Sequence, residues 1–330
     1  MINEFNTKAS IGIVGAGLAG LSCARRLNNL GFETHVFEKS HGPSGRMSTR
    51  NGEGWSADHG AQYFTARDPL FIDEINAWIK AGVAANWHPR IAVYENDQWR
   101  ESKSTEHRYV GTPAMNSPGK YLARNLSIQF NQTIDQMFRK NGKWFIRSLE
   151  TGDIVQAFDY LVLAIPAPQA TVLANSFDLS IEDFNSGVNM LGCWTVMARF
   201  SESLHIPFDA AFINDQIISW VSRNNSKPGR SGPETWTIHA NPQWSQQWIE
   251  LDREVASKHI LECTQKLGLH CENAEISIHR WRYASGATNL GPGFILDSDM
   301  KLGLCGDWLN GGRVEGAWLS GLKLANAIHS

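Results

Sequence analysis

The sequence predicts a mixed α/β protein, α+β overall, in which a Rossmann-type unit is joined to a second, mainly β-sheet domain. Three observations carry this expectation. A short apolar strand near the N-terminus runs straight into a glycine-rich turn and an amphipathic helix. Two more short buried strands, far apart in the chain, end in small residues. Between them lie runs of strand length in which apolar and polar residues alternate. At 330 residues the chain exceeds one average domain, so two units are expected.

Ser10-Ile11-Gly12-Ile13-Val14 reads as a buried parallel strand. Gly15-Ala16-Gly17-Leu18-Ala19-Gly20 follows at once. Residues 18–30 space Leu18, Leu21, Ala24 and Leu27 as one helical face, and Gly31 is a helix stop. Residues 32–38 form a second apolar run that ends on Glu38. The spacing has a physical logic. Gly15 permits the tight turn, Gly17 lets a pyrophosphate approach the backbone, and Gly20 lets helix and strand pack closely. The free N–H groups of the helix start, with Leu18 and Ala19 among them, favour a diphosphate. Glu38 is placed to accept from a ribose hydroxyl pair and disfavours a 2′-phosphate on the bound dinucleotide. The turn alone does not separate FAD from NAD.

Composition narrows the function classes. The net charge is −3, from 30 basic and 33 acidic residues, without the basic excess of a nucleic-acid binder. No apolar run approaches the ~18 residues that span a membrane. Residues 1–10 lack the pattern of a secretory signal, so a cytoplasmic protein is expected. Cys23, Cys193, Cys263, Cys271 and Cys305 are scattered, which predicts reduced thiols and no zinc or other metal site. No persuasive Ser-His-Asp set or metal-ligand spacing is present.

After Glu38 the chain reads Lys39-Ser40-His41-Gly42-Pro43-Ser44-Gly45-Arg46-Met47. This resembles the flavin amine oxidase superfamily, whose second strand ends in an acid followed by a Gly-Gly-Arg-like loop. Ser44 stands where that family has its first glycine. The resemblance implies that the loop wraps the diphosphate of FAD and that Arg46 neutralises phosphate, as a guanidinium can. Gly306-Asp307-Trp308, after the apolar residues 302–305, carries a second likeness. There the resemblance implies that Asp307 binds the ribityl chain. A helix opening at residues 311–317 and ending near 328 would point its start at the flavin pyrimidine, with Val314, Glu315 and Ala317 acting mainly through backbone. Residues 159–166, with Ala164 and Pro166, resemble the strand closing the FAD domain. Residues 132–138 resemble the strand that meets the adenine, through Thr133 or Ile134. Cys305 lies in a buried strand, so noncovalent FAD is expected.

Four further segments resemble the renalase branch of the superfamily, especially its bacterial members. They are Asp58-His59-Gly60-Ala61-Gln62-Tyr63-Phe64-Thr65-Ala66-Arg67, residues 220–228, His279-Arg280-Trp281-Arg282-Tyr283-Ala284, and residues 306–318. The resemblance covers nearly the whole chain, from Ile11 to Leu324. It implies a p-hydroxybenzoate-hydroxylase-like pair of domains. It also implies an activity, the oxidation of 2- or 6-dihydro-NAD(P) isomers to NAD(P)+, with flavin taking the hydride and O2 reduced to H2O2. Gly60, Ala61 and Gln62 then join the cofactor-binding set. The expected domains are residues 1–68, 118–169 and 270–330 for FAD, and 69–117 and 170–269 for substrate. Amine oxidation and a non-catalytic flavin-binding module are the alternative readings.

The residues agree with hydride transfer. Loss of hydride from a dihydropyridine yields an aromatic pyridinium, so stacking and proximity matter more than an acid–base pair. Seven of the 13 tryptophans lie between Trp194 and Trp308. Residues 193–200 alternate Trp194, Val196, Ala198 and Phe200 on one face. With strands at 217–221 and 235–239, they predict an aromatic wall for substrate. Candidate substrate contacts are Tyr63, Phe64, Thr65, Ala66, Arg67, Trp194, Trp220 and Arg313, the arginines for diphosphate or carboxamide. Candidate catalytic groups are Tyr63, Asn224, His239 and Trp281. Residues 69–81 and 252–268 predict amphipathic helices, the second shielding the substrate sheet. Residues 227–232, rich in Pro and Gly, predict a mobile loop.

Overall fold

A computed structural model describes residues 8–175, 188–287 and 291–330. The chain divides into two compact units. Met1–Gly45, Gly119–Asn189 and Ala287–Ser330 form the first, and Arg46–Pro118 with Met190–Gly286 form the second. These boundaries differ from those expected at residues 46–68, 118 and 270–286, which belong to the second unit, and at residues 170–175, which belong to the first. The reason is strand pairing. Glu275–Ser285 zips antiparallel along Leu191–Phe200, and Thr49–Gly52 forms a hairpin with Trp55–Asp58.

The first unit holds a six-stranded sheet among the described residues. Its order is Phe294–Asp297, Leu302–Cys305, Tyr160–Leu163, Ser10–Val14, Glu33–Glu38, Ser127–Phe130. All neighbours run parallel except the first pair. Parallel strands buried on both faces read as continuous apolar runs, which is why Ile11, Ile13, Leu161, Val162 and Leu163 are fully buried. Helix Leu18–Asn29 follows the first strand and closes at Gly31, whose φ of +94° suits glycine. It packs on the last helix, Val314–His329. A Cβ on Gly321 would stand 2.0 Å from the Ala19 carbonyl oxygen, so only glycine allows this approach. The Ser22 hydroxyl donates to the Trp318 carbonyl at 2.8 Å across the same contact. Gly311 and Gly312 form a positive-φ turn ahead of that helix, which therefore starts three residues later than expected. The edge strand Ser127–Phe130 carries no strong apolar alternation. The expected strand at 132–138 is instead Ile134–Lys140, part of a separate three-stranded sheet.

The second unit is built on a seven-stranded sheet among the described residues. The order is Glu275–Ser285, Leu191–Phe200, Glu234–Ala240, Ile218–Arg223, Ala210–Ile213, Ile91–Glu95, Gln98–Glu101. One face packs on helix Arg253–Thr264, which Asp252 caps by accepting from the Glu254 amide at 2.8 Å. Trp194, Val196, Ala198, Phe200, Trp236 and Ile238 point into this core with Ala256 and Ile260. The alternation at 193–200 thus marks the core face, not a substrate wall. The helix shields that core face. Trp194 is fully buried and its Nε1–H donates to the Trp248 carbonyl at 3.1 Å. Phe64 is likewise core. Its ring lies 6.3 Å from Phe71 and 6.0 Å from Trp78, on helix Pro69–Lys80. Among the described residues no helix is long and apolar enough to cross a membrane.

Candidate functional site

Two constellations stand out, one in each unit. In the first unit the glycine turn is set by close approach. Gly15 adopts φ +105°, and a Cβ there would meet the Ala164 carbonyl oxygen at 2.5 Å. A Cβ on Gly20 would meet the Gly15 carbonyl oxygen at 2.1 Å. Gly17 differs, because a Cβ there would meet nothing within 4 Å. The turn is therefore closed on its inner side and open at Gly17. The Ser44 amide donates to the Ala16 carbonyl at 2.9 Å, which lays the following loop along the turn. Ser44 keeps the positive φ, +101°, that a glycine would favour there.

Glu38 is buried at the end of its strand. Its Oε2 accepts from the Ala16 amide at 2.7 Å, and Oε1 from the Ser40 amide and hydroxyl at 2.9 and 2.7 Å. Lys39 beside it is exposed. Asp307 and Glu315 are both more than nine-tenths buried. The Asp307 carbonyl accepts from the Asn310 and Gly312 amides at 2.8 Å, folding the glycine pair before the last helix. Val314 and Ala317 are half-buried in its first turn, and Arg313 is its exposed N-cap residue. Ala164 and Pro166 close the neighbouring strand, and the Trp308 Nε1–H donates to the Ile165 carbonyl at 3.1 Å. Thr133 spends both backbone groups inside the protein, its amide on Glu150 at 2.6 Å and its carbonyl on Leu149 at 2.8 Å.

Helix starts test whether these residues fit a dinucleotide. Among the described residues, side-chain caps are formed by Asp68, Asn241 and Asp252. The helices opening at Gly17 and Arg313 have no side-chain cap, and the first has no acid in its opening turn. Uncapped N–H groups beside the open space at Gly17 suit the diphosphate of FAD.

In the second unit the face opposite the Trp194 core gathers polar and aromatic groups. His239, Thr237, Trp220 and Ser222 come from two adjacent strands, and His279 and Trp281 from a third. Segment 58–63 lies against them. The Thr237 hydroxyl donates to the Asp58 carbonyl at 3.0 Å, and the Trp281 Nε1–H to the His59 carbonyl at 2.9 Å. The Ala61 amide donates to the Arg46 carbonyl at 2.9 Å, and the Arg46 guanidinium to the Ala284 carbonyl at 3.1 Å. Met47 is buried beside it in the chain, and a Cβ on Gly60 would stand 2.0 Å from the Arg46 carbonyl oxygen. Gln62 is fully engaged. Its Oε1 accepts from Ser222 at 2.8 Å and Lys227 at 3.0 Å, while Nε2 donates to the Asp58 and Gly60 carbonyls at 2.7 and 3.0 Å.

Asp58 anchors this arrangement. It accepts from the Thr49 hydroxyl at 2.6 Å, the Met115 amide at 3.1 Å, Lys227 at 3.2 Å and Arg230 at 2.6 Å. The side chains of all three ionic partners are fully buried. Burial opposes the Asp58 charge, but the two cations and the Thr49 hydroxyl outweigh it and hold the carboxyl at about 2. Burial lowers the Lys227 ammonium to about 8, with Asp58 opposing and Arg230 reinforcing the shift. Loop 227–232 is therefore pinned by two buried cations. His59, His239 and His279 are neutral at pH 7. Burial, then His279 and Arg50, lower His59 to about 3, and burial lowers His239 and His279 to about 4.

Lys227 has a readable consequence. A base whose pKa falls on folding destabilises the fold fully below the folded value, here about 8. The cost is relieved as pH rises from about 8 toward 10.5, the ordinary lysine value. Urea unfolding at pH 7 and pH 10 should therefore show the parent gaining on the Lys227→Met variant by about 2 kcal/mol. An unchanged difference between the two proteins would remove this lysine's burial cost.

Asn224 is structural. Its Oδ1 accepts from the Asp58 amide at 3.2 Å, and its Nδ2 donates to the Ser56 carbonyl at 3.0 Å. Arg67 is half-exposed and ion-paired with Glu106 at 2.6 Å. Thr65 and Ala66 are half-buried beside it. Tyr63 lies 6.1 Å from Trp87 and 5.6 Å from Trp220, and Trp281 stacks on His59 at 5.2 Å. The sequence reading missed Asp58, Lys227 and Arg230 as a set. A usable signal was present: isolated charges within otherwise apolar or small-residue segments. Among the described residues no group of three or more His, Cys, Asp or Glu could hold a metal ion, and the five cysteines are unpaired.

A Rossmann-like domain with this turn, buried acid and pair of open helix starts, joined to a β-rich unit, defines an FAD-dependent oxidoreductase. Residues 13–73 match the NAD(P)-binding Rossmann-like domain, and residues 78–329 match the flavin containing amine oxidoreductase family. The chain belongs to that family. Lysine-specific histone demethylase 1 homolog 2 of Arabidopsis thaliana is 45% identical over 167 residues, 48% of this chain and 20% of that protein. The chain spans about a fifth or less of the length of the curated relatives it matches. Among solved structures, a putative protoporphyrinogen oxidase from Exiguobacterium superposes with TM-score 0.78 at 13% identity, covering 98% of this chain and 99% of that one. Cyclohexylamine oxidase from Brevibacterium oxydans gives 0.75 at 12% identity, covering 98% and 99%. These likenesses support the fold.

Proposed function

We propose that this flavoprotein is an oxidase of 2- or 6-dihydro-NAD(P) isomers, releasing NAD(P)+ and H2O2. The observation that carries the reading is the chemistry of the second unit's face. It offers aromatic walls and neutral histidines with pKa values of about 3 to 4, far too acidic to serve as strong bases. Such a face suits a substrate that loses hydride without first losing a proton. Bound FAD supplies the hydride acceptor and the route of electrons to oxygen.

The burial and open helix starts described above support the following roles. In the first unit, Gly15 to Gly20 and the helix start at Leu18 and Ala19 would hold the diphosphate, Glu38 the adenosine ribose and Asp307 the ribityl chain. The start of the last helix, at Val314 to Ala317, favours negative charge on the flavin pyrimidine. Loop residues Lys39 and Gly45 complete the first unit's cofactor set. Tyr63, Trp220, His239 and Trp281 are the residues assigned to substrate, Tyr63 by stacking. Tyr63→Ala should lower kcat/KM at least tenfold with FAD retained, and steady-state kinetics on the yellow variant would show it. Unchanged kinetics would make Tyr63 purely structural.

Family membership favours amine oxidation as the second reading. Aerobic turnover with product analysis separates the two. The isomer reading requires one H2O2 per dihydropyridine consumed and NAD(P)+ as product. Peroxide formed only with amines would replace it.

A further inference from the structure

The seven-stranded sheet of the second unit ends differently at its two edges. Gln98–Glu101 closes one edge with four exposed residues, two of them charged. Short, charged strands keep an edge from pairing with another chain. Glu275–Ser285 closes the other edge and is 11 residues long. Among the described residues its strand partner is Leu191–Phe200, in unbroken register from Trp281 to Glu275. The bulge of that pair lies further along, between Leu191 and Cys193. Beyond His279 the strand is tied to its own unit. Arg280 and Arg282 bind Glu250, and the Trp281 indole donates to the His59 carbonyl. Residues 275–279, Glu-Ile-Ser-Ile-His, contain no proline or lysine, and their one acid, Glu275, is paired with Arg199 of the neighbouring strand. This half of the edge therefore lacks the devices that blunt the other.

A groove of about 510 Å³ lies between this half and helix Arg253–Thr264. Leu261, Ile276 and Ile278 give it an apolar lining, and Ile276 is 36% exposed. Arg253, Glu254, Lys258 and Glu262 line its helix side. None of these four side chains has an ion-pair or hydrogen-bond partner among the described residues.

Strand and helix are each complementary to themselves. Turned antiparallel about Ser277, the segment sets Ile276 against Ile278 of a second copy on the groove face. Glu275 then meets His279 on the other face, and no like charges are opposed. The helix runs back along the strand, because residues 265–274 join its end to the strand start. Burial, then Arg50 and Arg253, lower His279, which puts the helix start level with His279. The same twofold axis therefore brings Lys258 toward Glu262 of the second helix, and Glu262 toward Lys258. A twofold interface requires such a self-complementary patch. We infer that the protein dimerises through this edge, with residues 275–279 joining two sheets and the flanking helices facing each other across the shared groove. A second copy accounts for the uncommitted charges as well as the open edge.

The test is sedimentation velocity of the FAD-loaded protein over about a hundredfold range of concentration, at low and high salt. The parent should pass from monomer to dimer as concentration rises, and salt should weaken the dimer. Ile276→Lys places a cation from each copy in the groove and should weaken association about tenfold or more. Lys258→Glu should weaken it severalfold, and adding Glu262→Lys should restore it, since the reversed pair is complementary again. Thermal unfolding of each variant, run alongside, separates lost association from lost folding. A protein that stays monomeric at every concentration would overturn the proposal and leave the groove to a different chain. A dimer indifferent to Ile276→Lys would also overturn it, as would a double variant no tighter than Lys258→Glu alone. No turnover enters this experiment, so its outcome is independent of the proposed reaction.

Discussion

Asp58→Asn should lower stability by about 3–5 kcal/mol, the usual cost of removing one partner from a buried ion pair. The substitution conserves volume, so the loss is electrostatic. It leaves Lys227 and Arg230 fully buried without a carboxylate, and gives the Thr49 hydroxyl and Met115 amide a weaker acceptor. Adding Lys227→Met to Asp58→Asn should recover part of the loss, because one of the stranded cations is gone. Urea unfolding of the FAD-loaded single and double variants measures both effects. A single variant as stable as the parent would mean that Asp58 carries little of the charge balance.

Gly20→Ala should weaken FAD binding at least a hundredfold. The new Cβ would lie 2.1 Å from the Gly15 carbonyl oxygen and 3.0 Å from the Ala164 Cβ, both fixed parts of the turn. The turn must open, and its amides leave the geometry that a diphosphate requires. Gly17→Ala is the informative companion. A Cβ there meets no protein atom, so stability should hold while affinity for FAD falls, because the methyl enters the ligand's space. Titration of apoprotein with FAD, beside thermal unfolding of the apoproteins, separates the cases. Parent-like affinity in Gly20→Ala would contradict the role of the turn.

The first unit was legible because its signals are local. Strand, turn, helix and acid lie within residues 10–38, and the close contacts at Gly15 and Gly20 follow the spacing that implied them. The last helix was displaced by only three residues, because the Gly311–Gly312 turn follows a short 3-10 helix that apolar pattern does not reveal. The second unit was harder. Alternation at residues 193–200 located a strand but not which face meets the core. Its apolar side, with Trp194, is the buried one, and the opposite face carries Thr195 and its neighbours His239 and His279. Phe64 and Asn224 were drawn into the candidate site because they lie in the segments that carry the resemblance. Packing on Phe71 and Trp78, and hydrogen bonds to the Asp58 amide and Ser56 carbonyl, are tertiary facts. The Asp58–Lys227–Arg230 set joins residues more than 160 positions apart, beyond the reach of any local pattern.

The most direct test of the proposed reaction is anaerobic mixing of the FAD-loaded protein with 2-dihydro-NAD, 6-dihydro-NAD, ordinary NADH and a panel of small amines, followed at the flavin absorbance band. Rapid bleaching by a 2- or 6-dihydro isomer, reversed by air with peroxide formed, is the expected result. Bleaching by amines alone, with both isomers inert, would contradict it.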